Sequence, residues 1–73
     1  MGTAARKERE KQKRREEILD AARDLFYEKG YQLTTVEEIA EAAEISKGTV
    51  YLYFGSKDEL YVSVILEGFG ELE

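Results

Sequence analysis

At 73 residues the chain has room for one small core, since a domain of this size buries only about 60% of the surface its unfolded form exposes. Cysteine and histidine are both absent, which removes disulfides, thiolate and imidazole metal sites and the commonest general base, so no metal, no cofactor and no catalytic residue is expected. The net charge of −5 is unevenly spread: residues 1–15 carry a net +5, the remainder carries −10, and within that acidic remainder residues 45–57 hold Lys47 and Lys57 and no acid.

Residues 1–13 read as a basic N-terminal arm, a composition that suits either a solvated tail or a segment that touches nucleic acid. Beyond them Ile18, Leu19, Ala22, Leu25 and Phe26 recur at i, i+1, i+4, i+7 and i+8, with charges on the opposite face. That stripe predicts a first helix beginning between Lys11 and Arg15. Gly30 stands where a left-handed C′ residue is wanted and puts Tyr31 at C″ to meet Phe26 in a Schellman arrangement, so this helix should end at Lys29.

Thr35 and Glu38 form a capping box, which starts the second helix at Val36. Val36, Ile39, Ala40 and Ala43 share its inner face while Glu37, Glu38 and Glu41 point away, and Glu44-Ile45 breaks the pattern after about two turns. Ser46 caps a third segment over residues 47–54, and Gly55 interrupts it. Ser56 and Glu59 then make another capping box, with the fourth helix beginning at Lys57.

That fourth helix is apolar on most sides: Leu60, Tyr61, Val62, Val64, Ile65, Leu66, Phe69 and Leu72 leave only Ser63, Glu67 and Glu71 as a polar strip. Leu60, Tyr61 and Val64 suffice to close a three-helix head, which leaves Val62, Leu66 and Phe69 without partners within 73 residues. Such a helix suits a chain that continues into a larger body, or an end that frays. The fold class expected is all-α, a homeodomain-like three-helix head with a helix-turn-helix plus the start of a fourth helix.

The third segment carries the functional signal. At about 100° per residue, Val50 and Phe54 face the core, Gly48 and Leu52 lie opposite, and Thr49, Tyr51 and Tyr53 occupy the flanks. A short surface helix in so charged a chain ordinarily shows Glu and Lys to solvent, whereas this one shows glycine, threonine, leucine and tyrosines, a pattern that marks an interaction surface unless Tyr51 and Tyr53 are core aromatics. Helix two, a three-residue turn and helix three match a helix-turn-helix, whose second helix enters the major groove. Ala40 is the small residue at the helix crossing, and Ile45 and Val50 lock the turn. Glu44 departs from the glycine usual at that turn, at a cost of about 1 kcal/mol for a left-handed non-glycine residue.

Four blocks carry a resemblance: Ile18-Leu19-Asp20-Ala21-Ala22; Phe26-Tyr27-Glu28-Lys29-Gly30-Tyr31; Thr34-Thr35-Val36-Glu37-Glu38-Ile39-Ala40; and the run from Ser46-Lys47-Gly48-Thr49-Val50-Tyr51-Leu52-Tyr53 through Phe54-Gly55-Ser56-Lys57-Asp58-Glu59-Leu60. Together they resemble the tetracycline-repressor-like (TetR-like) transcriptional regulators over roughly residues 15–65. The resemblance implies a sequence-specific DNA-binding regulator, a ligand-responsive repressor in the intact protein. It also implies roles for residues. Thr35 and Lys57 look like phosphate contacts at helix starts, and Tyr53 corresponds to a family position that touches phosphate. Lys47 resembles a residue reaching bases or phosphates from the first turn of the recognition helix, Gly48 permits close approach of backbone to groove, Thr49 and Tyr51 look like phosphate or base-edge contacts, and Leu52 suits a thymine methyl. Arg14 and Arg15 are possible arm contacts.

The resulting division is a basic arm over 1–13, a DNA-binding head over 14–56, and a fourth helix over 57–73 that leads toward a C-terminal ligand-binding and dimerisation domain absent from the chain. The implied partners are a double-stranded DNA operator, a second copy of the protein and a small-molecule effector. No apolar run spans a membrane and the start lacks the apolar core of a secretory signal, so the default location is cytoplasmic. The alternative is a helical protein-interaction module without DNA binding, which would explain exposed aromatics but not a phosphate-suited threonine and lysine at two helix starts.

Overall fold

The computed structural model describes the backbone of residues 2–71 and the side chains of residues 9–67. Four helices follow one another: α1 (Gly2–Lys29), α2 (Val36–Ala42), α3 (Lys47–Tyr53) and α4 (Lys57–Glu71), with no strand among the described residues. No helix in that part of the chain is long and apolar enough to cross a membrane.

α1 starts at Gly2, well before the start between Lys11 and Arg15 that its apolar stripe suggests. The stripe marks where the helix gains a buried face, and that is not where helix becomes favourable. Residues 3–17 contain no proline or glycine and are almost entirely Ala, Arg, Lys, Glu and Gln, all strong helix formers, so the helix propagates outward past its packed part. The basic residues 1–13 are therefore, from Gly2 onward, continuous with α1. At the other end Gly30 takes φ 88° and its N–H donates to the Phe26 carbonyl oxygen at 2.8 Å, the single-bond αL stop rather than the two-bond Schellman motif expected there. Tyr31 still meets Phe26, with ring centroids 5.8 Å apart.

The core is one cluster to which every helix contributes: Ile18, Leu19, Ala22 and Phe26 from α1, Val36, Ile39 and Ala40 from α2, Val50 and Phe54 from α3 and its cap, and Leu60 from α4. Ile18, Ile39 and Leu60 are fully buried, each contributing about 1.5–3 kcal/mol of apolar burial. The division of α4 follows the sequence pattern. Leu60 enters the core, Val64 packs against it and Tyr61 meets Phe26 edge-on and Tyr31 at a tilt, whereas Val62, Ile65 and Leu66 remain exposed. Phe69, which the sequence pattern leaves without a partner, and the apolar Leu72 lie outside the described side chains.

Candidate nucleic-acid interface

The turn between α2 and α3 is built by the Schellman motif that the α1 terminus lacks. Ala43 is the C-cap of α2, Glu44 adopts φ 62°, its N–H donates to the Glu41 oxygen at 3.1 Å, and the Ile45 N–H reaches back to the Ala40 oxygen at 2.9 Å. Ile45 packs against the core and fixes the exit direction of the chain. Glu44 thus pays the left-handed cost expected of it, because the alternative is a turn that does not redirect α3. Ser46 then caps α3, its hydroxyl oxygen accepting the Thr49 N–H at 3.1 Å.

Helix periodicity puts the α3 residues where the sequence expects them. Val50 is 1% exposed and Phe54 4%, while Leu52 is 84% exposed and Tyr51 43%. Gly48 is exposed, and a Cβ added to it would meet only the Ser46 Oγ at 3.9 Å, so nothing within the fold requires a glycine there. Tyr53 is half-buried and packs on the core, combining an apolar body with a reachable hydroxyl. Thr49 is also half-buried; its hydroxyl shares a 2.9 Å hydrogen bond with Ser46 Oγ, which ties it to the cap.

Three polar links hold the other candidates in place. Thr35 caps α2 by accepting the Glu38 N–H at 3.1 Å, and the Glu38 carboxylate accepts the Thr35 N–H at 3.2 Å, completing the capping box. Lys57, from the first turn of α4, donates to the carbonyl oxygens of Tyr31 and Thr34 at 2.9 Å each and lies 4.2 Å from the Tyr31 ring centroid. It therefore anchors the residue next to Thr35. An ammonium has three donors, so one remains for an outside acceptor. Lys47 donates to Glu37 Oε2 at 2.8 Å, linking α3 to the first turn of α2. This pairing pulls the Glu37 carboxyl below the usual range and raises the Lys47 ammonium. Glu38 is lowered likewise, first by Lys29 and then by the Thr35 N–H.

Arg14 and Arg15 do not join this group. Arg14 stands on α1 beside Glu17, and Arg15 donates to Glu67 of α4 at 2.6 Å with its guanidinium 5.3 Å from the Phe54 ring centroid. Arg15 is an interhelical tie, raised above its ordinary value chiefly by the hydrogen bond to Glu67. Two contributors escape sequence reasoning. Thr34 is completely buried, its hydroxyl donating to the Gly30 oxygen at 2.8 Å and lying 3.2 Å from that of Leu25, which sets the loop before α2. Glu37 reads in sequence as one of three solvated acids, and only the three-dimensional approach of α3 shows it facing Lys47.

Comparison with known proteins agrees with this geometry. Residues 18–64 match the model of the family described as bacterial regulatory proteins, tetR family. The chain is 44% identical over 61 residues to YfiR, an HTH-type transcriptional regulator of Bacillus subtilis, covering 84% of this chain and 30% of that protein. Its identity to the HTH-type transcriptional repressor KstR2 of Rhodococcus jostii is 50% over 56 residues, covering 77% of this chain and 27% of KstR2. Among solved structures it is similar to the fatty acid degradation regulator FadR of Bacillus halodurans, with a TM-score of 0.74 and 38% identity over 78% of this chain and 30% of FadR. The chain thus spans less than a third of the length of these relatives. With a family match across most of its length and the helix-turn-helix geometry to go with it, the chain belongs to the TetR family of bacterial regulatory proteins.

Proposed function

We propose that this chain is the operator-reading head of a ligand-responsive transcriptional repressor, with α3 in the major groove and the starts of α2 and α4 against the flanking phosphates. The observation that carries the reading is the outward side of α3: Gly48, Tyr51 and Leu52 are exposed, acid-free and held by a helix that buries Val50 and its cap Phe54 on the other side. Gly48, Leu52 and Tyr51 face base edges, with Leu52 against a thymine methyl, and Lys47 reaches bases or phosphates from the first turn. Thr35, Thr49, Tyr53 and the third donor of Lys57 take phosphate oxygens. Arg14, exposed on α1, supplies a peripheral phosphate contact, and Arg15 holds α1 to α4.

In the intact protein the exposed strip Val62, Ile65 and Leu66 continues into a C-terminal domain that binds a small effector and forms the homodimer, and the protein acts in the cytoplasm. A dimer presents two heads to half-sites about 34 Å apart, one turn of the duplex, and the linkage raises affinity by roughly 10²–10⁴ over one head. Selection from a randomised duplex pool, followed by anisotropy titration of the single head and of two heads joined by a linker, tests this. A palindromic sequence bound far more tightly by the linked pair supports the reading. Equal binding of every sequence by both forms contradicts it and favours a protein-interaction module.

A further inference from the structure

Both carboxylates in the first turn of α2 have a cation, but the two cations come from different places. Glu38 is held by Lys29 of α1 and by the Thr35 N–H, so its contacts close the capping box and the back of the head. Glu37 touches neither core nor cap. It projects into solvent, and its carboxylate oxygen lies 2.8 Å from the Nζ of Lys47, in the first turn of the recognition helix. Within the fold its one side-chain partner among the described residues is that lysine. An acid in that place also opposes docking, because it stands two residues after Thr35 at a helix start proposed to face phosphate.

We infer that Glu37 is a specificity-determining residue that holds Lys47 against α2 in the free protein, so that duplex phosphates alone do not capture this lysine and only a correctly docked site does. The inference rests on the DNA-reading function proposed above. The physical basis is competition. A generic phosphate offers Lys47 one negative partner in exchange for another already at hydrogen-bond distance, so non-specific binding gains little from this residue. At a matched site, the contacts of Gly48, Tyr51 and Leu52 fix α3 deep in the groove, and the exchange is then carried by base-edge acceptors as well. Specificity arises as much from weakening the wrong complexes as from strengthening the right one. Asp24, beside the opposite end of α2 in a cleft lined by Ala42, Ala43 and Glu44, carries the same charge without facing Lys47.

The test uses the 73-residue chain in four forms, wild type, Glu37→Gln, Lys47→Met and the double variant, with Asp24→Asn as a control for net charge. Each is titrated by anisotropy against a mixed-sequence 20-bp duplex and against a duplex selected for wild-type binding, at several salt concentrations, after a thermal melt confirms the fold. Glu37→Gln is expected to tighten the mixed-sequence complex about 3–10-fold and to steepen its salt dependence by about one phosphate, while the selected duplex gains less than 3-fold. Asp24→Asn should change neither complex by as much as 2-fold. In the Lys47→Met background the effect of Glu37→Gln should vanish. An equal gain with and without Lys47 overturns the inference, since Glu37 would then be a repelling charge only. A loss of selected-duplex binding in Glu37→Gln also overturns it, because Glu37 would then touch a base directly. Failure of the wild type to bind any duplex, both as a single head and as two heads joined by a linker, is a different result, one that removes the DNA-reading function itself and the inference with it.

Discussion

The Lys57 ammonium donates to the Thr34 carbonyl oxygen at 2.9 Å, one residue before the cap of α2. With the companion bond to Tyr31 and the stacking on its ring, Lys57 holds the loop between α1 and α2 from the start of α4. The phosphate contact proposed for Lys57 would add an external role to this internal one. Lys57→Ala is expected to lower stability by about 1–3 kcal/mol through the lost charged hydrogen bonds and stacking, read as a lower denaturation midpoint in urea. It should also weaken operator and random duplex by similar factors and reduce the magnitude of the log K against log salt slope by about 1. Lost stability with an unchanged slope would confine Lys57 to the internal role.

Gly48 separates folding from binding. Because an added Cβ meets only the Ser46 Oγ at 3.9 Å, Gly48→Ala is expected to leave the fold intact and to raise stability by up to about 0.5–1 kcal/mol, as alanine is the better helix residue. The same methyl stands on the side of α3 proposed to face the groove. Operator affinity should fall at least 10-fold while the melting temperature holds or rises. A variant that binds as tightly as wild type would show that α3 does not approach bases at this position.

Val50 tests the core side of the same helix. It is 1% exposed, and Val50→Asp places an unpaired charge in the buried cluster shared by all four helices, at a cost of about 3–5 kcal/mol. A domain of this size has about 5 kcal/mol to lose, so the variant should be largely unfolded at 25 °C by circular dichroism. An unchanged melt would mean that α3 is rotated relative to the core.

The carboxyls of Glu37 and Glu38 are both held below their ordinary range, so their contribution to stability has a definite sign with pH. A group with a depressed folded-state pKa contributes fully above its unfolded value, about 4.3 for glutamate, and its contribution is lost as pH falls through the lower folded value. Melting temperature should be flat from pH 8 to about 5 with respect to these two groups and fall below about pH 4.3. Glu38→Gln, which removes the carboxylate shared by Lys29 and the Thr35 N–H, should lower the melting temperature at pH 7 and flatten the acid limb. A steeper acid limb in that variant would contradict the assignment.

Local chemistry made much of this legible. The Thr35–Glu38 box, the Ser46 cap and Gly30 each act within four residues, so a linear reading finds the starts of α2 and α3 and the end of α1. Periodicity alone separates Val50 from Leu52, since 100° per residue decides which side of α3 is buried. The start of α1 was not legible from its apolar stripe, because propensity continues the helix where burial stops. Nor were the roles of Thr34, Glu37 and Lys57 in the free protein, which depend on contacts to residues 9, 10, 23 and 26 positions away. Those separations are set by how the helices meet, which no local pattern encodes.

Docking of α3 into the major groove is tested most directly by comparing what Tyr51, Lys47 and Lys57 each do to sequence choice. Selected and scrambled duplexes are titrated at several salt concentrations against Tyr51→Ala, Lys47→Ala and Lys57→Ala, in two heads joined by a linker. Tyr51→Ala and Lys47→Ala are expected to narrow the gap between selected and scrambled DNA by about 1–3 kcal/mol each, the size of a lost base contact. Lys57→Ala should leave that gap intact while weakening both complexes together. If Lys57→Ala alters the gap while Tyr51→Ala and Lys47→Ala preserve it, α3 does not read the bases, and the docking described here is wrong.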